Sequence, residues 1–238
     1  MAKLLTFDVT NTILRVAGSV GQQYAHVAKK FNVSLDVRSL NEAFKGVWLT
    51  HSRLYPNFGQ AAGQSCQQWW AGVVEETFRF AGHSVSEQQL RPINEELYRY
   101  FMSAEPWEIL PGSNEVLRKL KLLKESRPLC VGVISNTDSR LKTVLKNLEL
   151  IDNFDFVLLS FECGSAKPDS AIFHKALELA DVKPADAIHV GDHVTNDYHG
   201  ARAIGMKALL LSKTGEIPAE VDHDHVIKSL DEIFHFLH

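Results

Sequence analysis

Cysteine is scarce in this chain: Cys66, Cys130 and Cys163 are the only three in 238 residues, with no CxxC pair and one necessarily left over. That argues against a disulfide framework and for a reducing compartment. Long apolar runs are missing too, and none approaches the roughly 20 residues that a membrane-spanning helix needs. Nor is there an excess of one charge. With 25 basic and 29 acidic side chains the formal net charge is -4, which gives no electrostatic footprint for nonspecific binding to nucleic acid or to anionic membrane. No internal repeat and no low-complexity segment stands out. The opening residues MAKLLTFDV read as a strand from about Lys3, which a cleavable signal peptide would have to consume. The expectation is a soluble intracellular protein, most simply cytoplasmic, whose partners include neither nucleic acid nor membrane.

What is present is an ordinary globular composition, 45% apolar and 23% charged, enough to bury one large domain or one domain with an insert. The segment LLTFDV is short, apolar and β-prone, and ends at Asp8. Helical spacing follows at 19–31, 38–53, 65–81 and 86–103, with a polar, Gly-rich loop PNFGQAAGQS between the second and third. After Pro106 the rhythm changes. Strands are expected at 129–135, 154–160, 187–191 and 207–211. Helices are expected near 113–125, 138–147, 169–180, 195–204 and 229–237, the last with Ser229 as N-cap. Strands alternating with helices predict an α/β fold: a Rossmann-like parallel sheet core with helices on both faces. The block of four helices interrupts that rhythm, so an inserted all-helical cap is expected at 15–105, over a core made of 1–14 and 106–238.

In open parallel sheets, ligands bind beyond the carboxyl ends of the strands. The residues at those ends are therefore the first to read. They are Asp8-Val9-Thr10-Asn11-Thr12, Ser135-Asn136-Thr137-Asp138, Lys167-Pro168-Asp169 and Gly191-Asp192 through Asp197. Carboxylates, an ammonium, a hydroxyl and an amide together suit phosphoryl transfer. A carboxylate can attack phosphorus, oxygen donors are the ligands that magnesium prefers, and a lysine with small donors can offset charge on the transferring oxygens. One such stretch is weak evidence; four at four strand ends are a strong signal.

These stretches, FDVTNTI, VISN, AKPD and HVGDHVTND, resemble the four motifs of the haloacid dehalogenase-like hydrolase superfamily. The resemblance covers the core, and the helical block is similar to the cap placed after the first motif in many members. It implies that Asp8 is the nucleophile and a ligand of Mg2+, that the backbone carbonyl of Thr10 and the Asp192 carboxylate are further ligands, and that Asp197 binds the metal directly or through water. It implies that Ser135 bonds the phosphoryl group with help from the Asn136 backbone, and that Lys167 pairs with Asp8 and the transferring oxygens. The implied partner is a small phosphorylated substrate, with the cap gating access. Phosphatases of the family mostly carry a second aspartate two residues after the nucleophile, as general acid and base. Here Thr10 stands there, and losing that group costs about 10²–10⁴-fold. Asn11 replaces the usual glycine, which is cheap if the turn needs a positive φ. The expectation is a slow magnesium-dependent phosphatase working through an aspartyl-phosphate. The rivals are a binding or scaffold protein that kept the fold, and a metal-independent dehalogenase.

Other residues take blander readings. His193 reads as a partly exposed loop residue, and Asp192 or Asp197 is expected to cap the helix that follows. His223 and His225 lack a third metal ligand. Cys163 has no adjacent base and reads as packing. Of Trp69 and Trp70, about 100° apart on a helix, one belongs to the core of the helical block. Asn57, Gln60 and Gln64 are candidates for substrate contact.

Overall fold

The computed structural model describes residues 1–237. The chain divides into two compact units, Met1–Arg15 with the chain from Ile109 on, and Val16–Glu108. It opens with β1 (Leu4–Phe7) and β2 (Leu14–Val16), then runs through α1 (Val20–Lys29), α2 (Val37–Leu54), the single turn α3 (Pro56–Gly59), α4 (Cys66–Phe80) and α5 (Glu87–Tyr100) to β3 (Trp107–Ile109). β2 and β3 pair as a small two-stranded sheet. The rest alternates: α6 (Ser113–Ser126), β4 (Cys130–Ser135), α7 (Arg140–Asn147), β5 (Phe156–Leu159), the turn α8 (Ser160–Cys163), α9 (Ser170–Ala180), β6 (Ala187–Gly191), α10 (Gly200–Ala203), β7 (Lys207–Leu211) and β8 (Val226–Ile227).

The main sheet has the order β5-β4-β1-β6-β7-β8, and its pairings are parallel. β1 is central. From it the chain builds outward through β4 and β5, then crosses back to place β6, β7 and β8 on the other side. The strand order therefore reverses at β1, the switch point beside which such sheets bind ligands. Burial on both faces explains the run of apolar residues in β4, β6 and β7. Leu4, Ile134, Ile172, Phe173, Ala176, Tyr198, Ala201 and Leu210 form a core on one side of the sheet.

The helical unit has its own core, built from Tyr24, Val27, Leu40, Val74, Phe78, Ile93 and Leu97. Three of its helices start on side-chain caps. Ser19 and Asp36 accept from backbone N–H groups in α1 and α2, and Ser65 with Gln68 forms a capping box on α4. Trp69 is buried and is the core member of the tryptophan pair, whereas Trp70 is half-buried against Trp48 and Phe58. The PNFGQAAGQS stretch is tightly wound, with Asn57, Phe58 and Gly59 all in the left-handed region, and Asn57 donates to Gln60. Among the described residues no helix is long and apolar enough to cross a membrane.

Several elements differ from the sequence expectation. The helix expected over 195–204 is a wide π turn, Val194–His199, followed by the short α10. Asp192 and Asp197 do not cap it. The cap is His193, whose Nδ1 accepts from the Asn196 N–H, while the Asp197 carboxylate, inside the turn, is taken up by Lys167 and the His193 N–H. The C-terminal segment Leu230–Phe236 is a 3-10 helix rather than an α-helix. Ser229 does cap it, and its buried Leu230 and Ile233 lie three apart, matching three residues per turn. The strand expected over 154–160 is shorter, because Ser160 already begins α8. β2, β3 and β8, of two or three residues each, leave no periodicity to read.

Candidate active site

The carboxyl ends of β1, β4 and β6 lie side by side, because Phe7 is in register with Val133 on one side and Val190 on the other. Asp8 follows β1, Ser135 ends β4, and Asp192 follows β6. Lys167 reaches them from the loop between α8 and α9. That loop is held at both ends. The Asp169 side chain caps α9 by accepting from the Ala171 N–H. The Asn136 amide grips the Lys167 peptide on both sides: Nδ2 donates to the Lys167 carbonyl at 2.8 Å and Oδ1 accepts from the Lys167 N–H at 2.7 Å. The Lys167–Pro168 peptide is cis.

Lys167 is buried, and its ammonium donates to Asp8 Oδ1 at 2.8 Å, to Asp197 Oδ1 at 2.6 Å and to the Ile134 carbonyl at 2.7 Å. An ammonium has three donors, so all three are in use. Asp197 also accepts from the His193 N–H at 3.0 Å. This close approach needs Gly191, where a Cβ would lie 2.2 Å from the Asp197 carboxyl carbon. Carboxylate oxygens of Asp8, Asp192 and Asp197 all lie within 4.8 Å of one another, and among the described residues this is the only such group with a metal-ligating set of side chains.

The electrostatics follow from burial and crowding. Burial pushes the Asp8 carboxyl up from 3.8 to about 7, with Asp197 and Asp192 adding to the push and Lys167 opposing it. Burial also raises Asp192, helped by Asp197. Asp197 goes the other way. Burial would raise it, but Lys167 and His189 outweigh that and hold it well below the usual carboxylate range. For Lys167, burial favours loss of the proton, and the two carboxylates outweigh it, keeping the ammonium above its ordinary value. The site is thus one lysine ammonium among three carboxylates, short of positive charge. Its donors are all oxygens, the set that suits a hard divalent cation such as magnesium rather than zinc, and the residues present fit Mg2+.

The structure brings together Asp8, Ser135, Asn136, Lys167, Asp192 and Asp197 at one rim. The Ser135 hydroxyl is buried with no hydrogen-bond partner among the described residues. Thr10 lies in the turn after Asp8, half-buried, with its backbone bridged to Leu14. Asn11 does adopt a positive φ of 61°. His193 is exposed. Burial raises the Cys163 thiol, which packs at the edge of the core. His225 bonds the Tyr198 hydroxyl. Sequence reasoning missed three participants. The Asn136 side chain clamps Lys167, Lys213 donates to the Asn11 carbonyl at 2.5 Å, and His189 lies under Asp197 with Nε2 3.1 Å from Oδ1. The buried HVGD strand, with a histidine among apolar residues, was the one available signal for His189.

A doubly wound parallel sheet with an aspartate after the central strand, a lysine held against it and an acidic pair after β6 is the architecture of one hydrolase class. The haloacid dehalogenase-like hydrolase family profile matches residues 2–205, and the chain belongs to that family. It is 41% identical over 233 residues to haloacid dehalogenase-like hydrolase domain-containing protein 3 of Xenopus laevis, covering 97% of this chain and 93% of that one. Among solved structures, a 2-haloacid dehalogenase from Pseudomonas syringae pv. Tomato DC3000 superposes with a TM-score of 0.68 at 25% identity, covering 100% of this chain and 98% of that one. YfnB of Bacillus subtilis, solved bound to magnesium, superposes at 0.72 with 17% identity over 99% and 98% of the two chains, and shares the fold.

Proposed function

We propose that this hydrolase is a magnesium-dependent phosphatase that acts through an aspartyl-phosphate on Asp8 and turns over slowly because Thr10 occupies the acid/base position. The observation that carries the reading is the buried Asp8, paired with Lys167 and crowded by Asp192 and Asp197 within 4.8 Å. Asp8, Asp192, Asp197 and the Thr10 carbonyl would hold Mg2+. When bound, the ion supplies positive charge that brings the raised Asp8 back to its ionised form and offsets charge on the phosphoryl oxygens.

The remaining work falls to the chain. Lys167 aims the Asp8 carboxylate. The unpartnered Ser135 hydroxyl donates to a phosphoryl oxygen. An Asp8 oxygen attacks phosphorus, a new P–O bond forms, and the bond to the leaving group breaks with its electron pair on the departing oxygen. Water then attacks phosphorus, the bond to Asp8 breaks, and inorganic phosphate leaves. Thr10 can neither protonate the leaving oxygen nor deprotonate that water at neutral pH. Substrates whose leaving group departs without a proton, such as acyl phosphates, are therefore favoured, and the phosphoenzyme should persist.

The test is a phosphoester and acyl-phosphate panel with wild type and Asp8→Asn, in Mg2+ and in chelator. Mg2+-dependent turnover that disappears in Asp8→Asn is expected; equal activity of the two proteins removes Asp8 from the mechanism. Thr10→Asp should raise turnover of ordinary phosphomonoesters by about 10²–10⁴-fold, the range for a restored acid/base group. A second reading, a binding protein that retains the fold, is favoured by Thr10 alone. It predicts Mg2+ binding with no turnover on any ester and no gain in Thr10→Asp. Dehalogenation by the same nucleophile requires no metal, and the crowded carboxylates weigh against it.

A further inference from the structure

Thr6 and His189 are in register on adjacent strands, β1 and β6, in the centre of the sheet. Both are fully buried. Their neighbours Leu5, Phe7, Ile188 and Val190 are apolar, and a polar pair here costs desolvation that an aliphatic pair would not. The pair is fully hydrogen-bonded. His189 Nδ1 lies 2.8 Å from Thr6 Oγ1, and Nε2 lies 3.1 Å from Asp197 Oδ1. The ring packs edge-on against Phe173, with 5.3 Å between centroids. A carboxylate only accepts, so Nε2 carries the proton. With Nε2 donating to that carboxylate, Nδ1 of the neutral ring is an acceptor and takes the Thr6 hydroxyl. One tautomer is thereby selected from the far side of the ring.

We propose that His189 is a positioning residue for the active site: its Nε2–H, fixed by Thr6, locks the Asp197 carboxylate that in turn holds Lys167 against Asp8. The inference rests on the magnesium-hydrolase reading above. The chain Thr6–His189–Asp197–Lys167–Asp8 runs from the middle of the sheet to the nucleophile with every link at 3.1 Å or less. Asp197 Oδ1 serves Lys167 and His189 together, while Oδ2 is held by the His193 N–H. Removing the imidazole donor leaves Oδ1 with Lys167 as its one partner, and the carboxylate can turn. A neutral donor suits this place. An arginine or lysine would compete with Lys167 for Asp197 and loosen its hold on Asp8. The arrangement parallels the outer hydrogen bonds that orient metal ligands in other enzymes, whose loss costs about 10–100-fold in metal affinity.

The test compares His189→Phe, which keeps the ring packing and removes the donor, with His189→Gln, whose amide nitrogen reaches the Nε2 position. Binding of Mg2+ alone is measured by titration calorimetry, alongside thermal unfolding and Asp192→Asn. His189→Phe should weaken Mg2+ binding about tenfold and His189→Gln should restore it to within about threefold, even though the Gln variant is the one that loses the ring contact with Phe173. If His189→Phe does not fold, Thr6→Val carries the test. It frees Nδ1 and should weaken Mg2+ binding about threefold. Unchanged affinity in the folded variant, or equal loss in Phe and Gln, overturns the role of His189 while leaving the magnesium site standing, provided Asp192→Asn still abolishes binding. Wild-type protein that binds no Mg2+ overturns the magnesium reading and this inference with it.

Discussion

Asp8 is asked to be buried and to be charged, and its carboxyl, raised to about 7, records the conflict. The unfolded chain releases this proton near 3.8, the folded metal-free chain only near 7. Between those values the folded state binds more protons, so stability falls as pH rises across that window. Asp8→Asn removes the linkage. Metal-free Asp8→Asn should therefore be more stable than wild type at pH 8, by a few kcal/mol at most, and melt at a higher temperature, with the gap closing toward pH 4. Equal melting curves at both pH values would show that Asp8 is not strained. Asp8, Lys167, Asp192 and Asp197 were legible in the sequence as one group, because each lies in a polar stretch that follows an expected strand. The Asn136 clamp, Lys213 and His189 were not. Their roles depend on which strands are neighbours, and nothing in HVGD or LLTF announces that Thr6 will face His189.

The loop after β6 shows how an element is bent to serve a site. A regular α-helix was the natural reading of 195–204, but the first turn is π-wide, a form that recurs at functional sites. It brings Asp197 back over the strand it has just left, against the bare backbone of Gly191. Gly191→Ala should push the Asp197 carboxylate off Lys167. We expect a loss of about 1–3 kcal/mol in stability from overpacking, together with weaker Mg2+ binding by calorimetry. Unaltered Mg2+ affinity would mean that Asp197 can retreat without consequence. The elements that were readable, such as 187–191 and 207–211, are those whose length and apolar run leave no alternative. Short pieces such as β8 and the 3-10 segment at Leu230 depend on tertiary pairing and on backbone choices of a few degrees, which composition does not encode.

At the scale of the whole molecule, the proposed magnesium site, three carboxylates beside one ammonium, would make the folded state a receptor for the cation. Mg2+ at 100 times its dissociation constant should raise the unfolding free energy by about 2.7 kcal/mol. Chelator should reverse the shift, and Asp192→Asn should show none; a melting temperature indifferent to Mg2+ would argue against the site. The doubly wound architecture was visible in the alternation of strands and helices, while the position of β1 between β4 and β6 was not, since order within a sheet is settled by packing. That central placement sets a schedule for the nascent chain. Leu4 is made well before its partners Cys130 and Ala187, which lie far later in the chain. At ribosomal speeds of about 5–20 residues per second, the amino-terminal strand spends on the order of ten seconds exposed with both edges bare. Until the carboxyl-terminal half emerges, this stretch is the part of the polypeptide most in need of a chaperone.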